Sequence, residues 1–395
     1  MAQVSPYDFS YPGGVNSHIL QLTWHFEQLG HEVRILAPAS DDGRLLGAGR
    51  NAIIIGRPIA VPLSGSVVRI ARNPRLGGQI AEVLEREQFD VIHIHEPLMP
   101  WLPFHTLRLS SCVTVGTFHA ASERGNLLYS YGRGILRRWF KKLDGRIAVS
   151  PAAAHHVARY FPEHYDIIPN GIDVARYAAE VQPFEHLRDG KLNILFVGRL
   201  EKRKGLKYLL RAYAALKRDH PNLRLIIAGE GAVRHGYEVS VRKAGLKDVI
   251  FTGYVSEEDK IRYLHTADIF CSPATGNESF GIVLLEAMAA GLPIVATNIR
   301  GSQFVVTDGV EGLLVRPKNE AGLTQALGRL IEDPDLRTRL ANGGRERVRE
   351  FDWWKLARRI LSYYDRLIYE REAGAREAAA SPHSYPPEAS IGQAG

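Results

Sequence analysis

The chain has 395 residues, 45% of them hydrophobic and 24% charged, which is typical of a globular protein and excludes a collagenous or disordered chain. No run of eighteen apolar residues and no secretory signal are found, so the sequence predicts neither a membrane span nor export, and the cytoplasm is the default location. The net charge of +7 favours anionic partners without choosing among nucleic acid, phosphorylated substrates and acidic lipid. Cys112 and Cys271 are too far apart in sequence to suggest a disulfide framework or a zinc site.

Short β-branched runs alternate with amphipathic stretches along the chain. In the first half, strands are predicted at Ala2–Ser5, Glu32–Leu36, Val91–His95, Val113–Thr117 and Arg146–Val149. In the second half, strands are predicted at Asn193–Val197, Arg224–Ala228, Ile269–Ser272, Ile294–Ala296 and Gly312–Val315. Because strands that alternate with helices form right-handed βαβ units, the sequence predicts an α/β chain with two doubly wound domains.

The predicted boundaries follow turn formers and changes of periodicity. A Rossmann-like first domain covers residues 1–170, a linker without periodicity covers 171–191, and a second domain covers 192–372. One apolar stripe predicts a last helix from Trp353 to Tyr369, which packs outside the second sheet or crosses back to the first domain. The Ala-, Pro- and Ser-rich residues 373–395 are predicted to be disordered.

Two carboxylates eight residues apart bracket a predicted helix N-terminus in the second domain. Ser279 is predicted to cap this helix directly after Glu278, and Glu286 to lie two turns inside, roughly 12 Å along the axis. The free N–H groups of Phe280 and Gly281 would then form a cradle for a diphosphate. The alternative is an exposed helix that carries two unrelated glutamates.

A cationic cluster follows the first predicted strand of the second domain. Arg199, Arg203 and Lys204 lie there between two glycines. Since doubly wound sheets bind ligands at the carboxyl ends of their strands, Arg199 and Lys204 can neutralise a diphosphate leaving group. The alternative is a solvated basic loop.

Three features lie at strand ends of the first domain. Gly13 and Gly14 allow backbone to approach a phosphate, although without the G-x-G-x-x-G spacing a plain tight turn is an equal alternative. His119 ends a strand and is either a site residue or a structural histidine. His93 and His95 share a strand face next to Glu96, but no third ligand is spaced to complete a metal site.

Residues 124–143 contain six basic residues and no acid. One predicted helix face is apolar, formed by Ile135, Leu136, Trp139, Phe140 and Leu143. The other face is basic, formed by Arg137, Arg138, Lys141 and Lys142. This pattern suits a helix lying on an anionic membrane, or equally a core-facing helix with a solvated basic back.

Together these motifs resemble the retaining glycosyltransferases of family four. The resemblance rests on the Glu–seven residues–Glu motif, the Gly-Arg…Lys-Gly loop, the Gly-Gly-Val loop, and the Pro-Asn-Gly-Ile-Asp hinge at 169–173, and it covers residues 4 to about 370. It implies the GT-B fold, in which two Rossmann-like domains face a cleft. It also implies a nucleotide-diphosphate sugar as co-substrate, with no tightly bound cofactor.

The resemblance also implies where the donor binds. The diphosphate contacts fall at Gly14, Arg199, Arg203 and Lys204. The segment beside the base contains Val255, Glu257 and Lys260, and Glu257 replaces a shorter acid. The sugar and phosphate contacts fall at Glu278, Ser279, Phe280, Gly281 and Ile282, with Glu286 on the ribose and His119 next to the transferred sugar.

Segments such as His93-Ile-His-Glu-Pro97 are similar to those of family members that mannosylate an inositol phospholipid. This implies GDP-mannose as donor and a lipid such as phosphatidylinositol as acceptor, at the inner face of the cell membrane, with no nucleic acid as partner. The phosphoinositol head group would meet Tyr7, Asn16 and Arg69. Asn16 replaces a longer amide and Leu63-Ser64 replaces an aromatic–amide pair, and both changes bear on the acceptor.

The predicted chemistry is transfer of a hexose with retention and without a bound metal, since no Asp-x-Asp pair is placed to hold Mg²⁺ against a diphosphate. Arg199, Lys204 and the helix N-terminus would stabilise the leaving diphosphate. Glu278 would support an oxocarbenium-like sugar, and His119 would orient a hydroxyl. The alternatives are another donor or acceptor, a nucleotide-sugar epimerase or hydrolase on the same scaffold, and a membrane-bound scaffold with an inactive site.

Overall fold

The computed structural model describes residues 1–11, 13–41, 45, 47–63, 66–71, 76–121, 125–276 and 278–380. At residues 50, 62, 63, 66–68 and 377–380 it describes only the backbone. Pro12, Ser64, Arg124 and residues 381–395, on which parts of the predictions fall, lie outside the described residues.

The first domain is built on a parallel sheet of seven strands in the order β3-β2-β1-β6-β7-β8-β9. Its strands are β1 (Ala2–Val4), β2 (Arg34–Ala37), β3 (Ala52–Ile54), β6 (Val91–His95), β7 (Val113–Phe118), β8 (Gly145–Ala148) and β9 (Asp166–Ile167). An antiparallel hairpin of β4 (Pro58–Leu63) and β5 (Ser66–Ala71) lies beside it. The helices are α1 (Gly14–Gln28), α2 (Leu76–Glu87), α3 (Leu102–Leu109), α4 (Leu127–Phe140) and α5 (Pro151–Ala158).

The second domain is built on a parallel sheet of six strands in the order β12-β11-β10-β13-β14-β15. Its strands are β10 (Leu192–Val197), β11 (Leu223–Ala228), β12 (Val249–Gly253), β13 (Ile269–Ser272), β14 (Ile294–Thr297) and β15 (Gly312–Val315). Its helices are α7 (Leu206–Asp219), α8 (Arg234–Lys243), α9 (Glu257–Thr266), α10 (Ile282–Ala289), α11 (Arg300–Val305), α12 (Glu320–Glu332) and α13 (Pro334–Val348). The fold class is confirmed: both domains are doubly wound and Rossmann-like.

Each sheet has one point at which the order of its strands reverses. In the first sheet this point lies between β1 and β6, and in the second between β10 and β13. Neighbouring connections there leave on opposite faces of the sheet, which opens a crevice at the carboxyl ends of the strands. The loops that follow these four strands contain the glycines, cations and carboxylates noted in the sequence.

The last helix, α14 (Trp353–Ala380), returns from the second domain to the first. The predicted stripe of Trp353, Leu356, Ile360, Tyr364 and Leu367 is buried in one cluster with side chains of α1, β6, β7 and β8. The helix also extends to Ala380, so residues 373–380 are helical rather than part of a disordered tail. None of the helices in the described part of the chain combines the length and apolarity that a membrane crossing needs.

The sequence missed the short or atypical elements. Strands β3, β4, β5, β9 and β12 were not predicted, and β9 is only two residues long. The linker at 171–191 contains a short helix, α6 (Val174–Ala178), capped by the Asp173 side chain. A single helical turn buries too few apolar residues to show a clear period.

Candidate active site

Loops at the carboxyl ends of the two sheets contact each other. Ser150, directly after β8, donates through its hydroxyl to the carbonyl oxygen of Ser279, between β13 and α10, at 2.6 Å. Ser150 is fully buried and also caps α5. This contact brings together the carboxyl ends of the two sheets, which face a cleft between the domains.

Two of the predicted cations converge on Glu278 in this cleft. The Lys204 Nζ lies 2.6 Å from Oε2 of Glu278, and Nη1 of Arg203 lies 3.3 Å from the same oxygen. Arg203 also contacts Glu201 at 2.7 Å. Arg199 is different: it pairs with Glu201 at 3.1 Å but its side chain remains 61% exposed. The three cations thus form one positive surface, of which Lys204 is the most enclosed.

The ionised form of Glu278 is maintained by these cations. Burial raises the pKa of the carboxyl, but the charges and hydrogen bonds of Lys204 and Arg203 outweigh it, and the net pKa lies below the ordinary glutamate value. At neutral pH the site therefore holds a carboxylate surrounded by fixed positive charge.

The cation loop and the loop that carries Glu278 are fixed together by close backbone contact. The amide of Thr275 donates to the carbonyl of Arg203 at 2.7 Å. Gly205 has a φ of 74°, and a Cβ at this position would lie 1.9 Å from the carbonyl oxygen of Pro273. Only glycine satisfies both conditions, so Gly205 is what allows Lys204 to reach Glu278.

The predicted N-terminus of the donor helix is wrong by two residues. Ser279 does not cap it: α10 begins at Ile282, and Gly281 occupies the cap with a φ of 84° and no side-chain hydrogen bond. Glu286 consequently lies about one turn inside the helix rather than two. Phe280 is buried in the core and precedes the cap, so the first free N–H groups of α10 belong to residues after Gly281.

Glu286, in the middle of α10, belongs to a second polar cluster, which is partly buried. Its Oε1 accepts from Nζ of Lys260 at 2.8 Å and lies 3.1 Å from the hydroxyl of Tyr177. Glu257 contacts the same two groups at 2.9 Å each. Burial lowers the pKa of the Lys260 ammonium, but Glu286 and Glu257 outweigh it and leave the net pKa raised.

Sequence reasoning missed Tyr177 in this cluster. The residue lies in α6, within the supposed structureless linker, 109 positions before Glu286. The one local signal for a helix at this place is Asp173, a residue type that often caps helices and that caps α6 here. Val255, the remaining predicted residue of this region, is partly buried against the neighbouring core.

In the first domain, four histidines form a buried group at the strand-reversal point. The His93 and His95 rings stack at 4.5 Å between centroids, and Nδ1 of His95 lies 2.9 Å from Nε2 of His119. His18, on α1, is edge-on to the rings of His95 and His119. Burial lowers the pKa of His18 to about 4 and that of His93 to about 3, and places the pKa values of His95 and His119 well below the ordinary value. All four rings are neutral at pH 7.

The backbone at His119 is held by Glu96. One carboxylate oxygen of Glu96 accepts from the amides of His119 and Ala120 at 2.7 and 2.8 Å. Glu96 itself has a φ of 53°, a left-handed conformation that is strained for this residue type. From the sequence alone, Glu96 has no predicted role beyond its nearness to the two histidines.

Three of these histidines could serve as a metal-ligand set. His18, His95 and His119 offer ring nitrogens within 4.8 Å of one another. The pair discussed as possible metal ligands from the sequence was instead His93 and His95. A hydrogen bond joins Nδ1 of His95 to Nε2 of His119. Two of the three ligands are thus engaged with each other, which fits a hydrogen-bonded cluster better than a metal centre.

The residues predicted to meet the acceptor lie together near β1 and the hairpin. Tyr7 pairs with Ile70 in an isolated bridge, and the Arg69 guanidinium lies 4.1 Å from the ring centroid of Tyr11. Asn16 is buried, accepts from the Ser5 hydroxyl at 2.8 Å and donates to two backbone carbonyls. Its amide therefore fixes the loop after β1. Gly14 begins α1 with open space beside it.

The basic segment forms α4, but its apolar face is divided. Leu136, Phe140 and Leu143 are buried in the core, in agreement with the core-facing alternative, whereas Ile135, which was placed on the same face, is exposed. A second apolar stripe points outward instead, with Leu127, Tyr131 and Ile135 exposed by 76%, 88% and 75%.

Comparisons with known proteins agree with this arrangement. The family model described as "Glycosyltransferase Family 4" matches residues 12–176, and that described as "Glycosyl transferases group 1" matches residues 179–347. The phosphatidyl-myo-inositol mannosyltransferase of Mycobacterium leprae is 37% identical over 367 residues, which are 92% of this chain and 96% of the relative. The chain belongs to the family 4 glycosyltransferases. The enzyme of the same name from Propionibacterium freudenreichii is 33% identical over 91% of this chain and 93% of its own length.

Solved structures place this glycosyltransferase in the GT-B fold. A glycosyltransferase from Rickettsia africae superimposes with a TM-score of 0.75 at 20% identity, covering 93% of this chain and 98% of its own. HepE from Anabaena, in complex with UDP, gives a TM-score of 0.74 at 19% identity, covering 92% and 99%. At such identities the likeness shows the fold alone.

Proposed function

We propose that this glycosyltransferase transfers mannose from GDP-mannose to a phosphatidylinositol-type lipid, with retention of configuration at the anomeric carbon. The names of the mycobacterial and propionibacterial relatives support the sugar and the acceptor. The observation that carries the donor half is the convergence of Lys204 and Arg203 on Glu278 at the strand-reversal point. This is the place where doubly wound domains bind phosphorylated ligands.

In this proposal the cations stabilise the departing diphosphate. Arg199, Arg203 and Lys204 lie on the side where negative charge grows as the bond between the anomeric carbon and the phosphate oxygen breaks. The acceptor hydroxyl oxygen forms a bond to the same carbon from the same face, and its proton passes to the departing phosphate oxygen. Glu278 supports the positive charge that develops on the sugar ring, and His119 orients a sugar hydroxyl.

The polar cluster around Glu286 supports a nucleoside with a guanine base. The Lys260 ammonium fixes Glu286, which accepts from a ribose hydroxyl, and Glu257 remains partly exposed beside it. Guanine presents two neighbouring N–H donors on one edge, which a carboxylate accepts together, whereas uracil presents one. Glu257 therefore favours guanine.

A donor and acceptor panel tests the proposal. GDP-mannose, GDP-glucose and UDP-glucose are each offered with phosphatidylinositol or phosphatidylethanolamine vesicles, and the product is identified by mass spectrometry and its anomeric configuration by NMR. We expect α-mannosyl phosphatidylinositol from GDP-mannose. Faster transfer from UDP-glucose, or a β-linked product, would refute it. Sugar freed or epimerised without acceptor at a rate above transfer would favour the hydrolase or epimerase alternative.

We further propose that the exposed stripe of α4 attaches the enzyme peripherally to anionic lipid at the inner membrane face. Leu127, Tyr131 and Ile135 recur at intervals of four residues and continue into the exposed Arg138. An outward apolar stripe bordered by cations suits the boundary between lipid head groups and acyl chains. The wholly core-facing alternative leaves these three exposed side chains unexplained.

Sedimentation with acidic liposomes tests this attachment. Arg137→Glu with Arg138→Glu should lower the partition coefficient for the liposomes at least about 30-fold, since each cation contributes about 1 kcal/mol near such a surface. Arg242→Glu with Lys243→Glu, exposed on α8, makes the same charge change elsewhere and should bind as the parent does. Ile135→Asn should weaken binding even at high salt, because it removes apolar contact rather than charge. If both double variants lose liposome binding equally, the net charge of the protein and not the α4 stripe determines binding.

A further inference from the structure

A chain of hydrogen bonds crosses the first domain from α14 to His119. Nε2 of Gln3 donates to the Tyr364 hydroxyl at 3.5 Å, and Oε1 of Gln3 lies 3.0 Å from Nε2 of His95. Nδ1 of His95 in turn lies 2.9 Å from Nε2 of His119. Beyond Tyr364, the hydroxyl lies 2.5 Å from Nδ1 of His93. The links join residues from β1, β6, α14 and the loop after β7.

The orientation of the Gln3 amide determines the direction of every hydrogen in this chain. Its oxygen faces His95 and can only accept, so Nε2 of His95 carries the ring proton. A neutral imidazole has one N–H, hence Nδ1 of His95 is an acceptor and Nε2–H of His119 donates to it. The same rule makes Nδ1 of His119 an unprotonated acceptor. At the far end, the Tyr364 hydroxyl accepts from Gln3 and donates to His93.

We propose that Tyr364 and Gln3 are positioning residues that, through His95, hold His119 in the Nε2–H tautomer with its Nδ1 free to accept a hydrogen bond from a substrate hydroxyl. The inference rests on the proposed function, which places His119 beside the transferred sugar. In the opposite tautomer the ring would present an N–H at that position and would donate instead of accept. The hydrogen-bond chain therefore sets the polarity with which His119 meets the sugar.

Burial limits how the hydrogens can be arranged in this chain of hydrogen bonds from Tyr364 to His119, the histidine relay. Gln3 and His95 are fully buried, Tyr364 is 2% exposed, and His119, at 9%, is the most accessible member. Water does not compete for the inner links, so each hydrogen must be matched by an acceptor of the chain. Burial also keeps the rings neutral, as required for a single N–H on each. A reversed Gln3 amide would reverse every hydrogen of the chain: the Tyr364 hydroxyl would donate to Gln3 and accept from His93, and His95 would donate to His119.

The decisive measurement is the tautomer of His119 in solution. Long-range ¹H–¹⁵N spectra of full-length protein labelled at histidine are recorded without any substrate, and His119 is assigned from the signals lost in His119→Asn. We expect the ring proton on Nε2 in the parent. In Tyr364→Phe the Gln3 amide is free to turn, so a second population with the proton on Nδ1 should appear. Tyr363→Phe is the matched control, because its hydroxyl accepts from the Arg146 amide and is outside the relay.

Kinetics with GDP-mannose and phosphatidylinositol give the second readout. Tyr364→Phe should lower kcat about ten-fold, the value of one buried hydrogen bond, and leave KM for GDP-mannose unchanged. If Tyr364→Phe does not fold, Gln3→Leu removes the acceptor of His95 without adding a charge and should mix the tautomers likewise. A parent with the proton on Nδ1, or a folded Tyr364→Phe or Gln3→Leu spectrum identical to the parent, overturns the inference. A parent inactive with GDP-mannose refutes the proposed donor but leaves the tautomer result readable.

Discussion

Replacement of Lys204 by alanine should separate the role of this lysine in catalysis from its role in holding Glu278. The Nζ–Oε2 contact of 2.6 Å joins side chains that are only 15% and 21% exposed. Its removal leaves Glu278 with Arg203 at 3.3 Å. Breaking a fully buried pair costs about 3–5 kcal/mol, and the remaining cation reduces this to about 2 kcal/mol of unfolding free energy. Because the leaving diphosphate loses stabilisation as well, turnover should fall about 10- to 150-fold.

Combining Lys204→Ala with Glu278→Gln distinguishes the two effects. The neutral amide no longer needs a counter-charge, so the double variant should recover most of the unfolding free energy measured in urea. Turnover of GDP-mannose should stay low, because neither the phosphate nor the sugar has regained its charged partner. Lys202→Ala, an exposed position in the same turn, is the control and should behave as the parent in both assays.

The pH dependence of stability gives an independent check. The net pKa of Glu278 is lowered in the folded protein, so its contribution is present above its unfolded pKa and lost as pH falls through the folded value. In Lys204→Ala only Arg203 still opposes the effect of burial, so the folded pKa of Glu278 rises toward or above its unfolded value. This carboxyl should then contribute less to the loss of stability in acid than it does in the parent. A Lys204→Ala enzyme with parental turnover, or with an unchanged acid transition, would refute the reasoning about this pair.

Three further outcomes are expected. Glu286→Ala should weaken GDP binding by calorimetry, about 10-fold or more, with kcat affected less, because the ribose does not change during reaction; equal affinity would contradict the ribose role. Turnover should survive EDTA, since fixed cations already face the phosphates; loss on chelation that Mg²⁺ restores would reject this. Gly205→Ala should destabilise the protein much more than Gly190→Ala. Both have similar positive φ values, but only Gly205 has a backbone oxygen, that of Pro273, where its Cβ would be.

Local patterns were enough to predict the central strands and the doubly wound topology. Strand β6 (Val91–His95) is buried along its whole length, and its β-branched residues predict a buried strand although two histidines alternate with them. The edge strand β12 (Val249–Gly253) is only partly buried and was missed, because a half-exposed run gives a weaker pattern. The Ser279 cap failed for a different reason. Gly281 adopts positive φ directly before the helix, and the backbone rather than a side chain begins the turn.

Contacts between distant residues could not be read from the sequence. Lys204 and Glu278 were each singled out by their own loops, but their direct pairing depends on the approach of Gly205 to Pro273. Tyr364 lies 271 positions from His93, and nothing local in α14 marks it as different from Tyr363 and Tyr369 of the same helix. Such pairings depend on how the last helix docks, which periodicity alone does not specify.

The two passages of chain between the domains are joined to each other, and this limits how the cleft can open. The amide of Ile172 donates to the carbonyl of Phe351 at 2.8 Å, and the amide of Trp353 donates to the carbonyl of Ile172 at 3.2 Å. Ile172 and Asp352 thereby form a parallel bridge. Beyond it, α14 closes the core of the first domain and supplies Tyr364 to the histidine relay. Any rotation of the second domain must bend both passages at this bridge, because α14 moves with the first domain. If the second domain rotates about this bridge, the donor loops move relative to His119, whereas Tyr364 and the histidines stay together because α14 packs on the first domain.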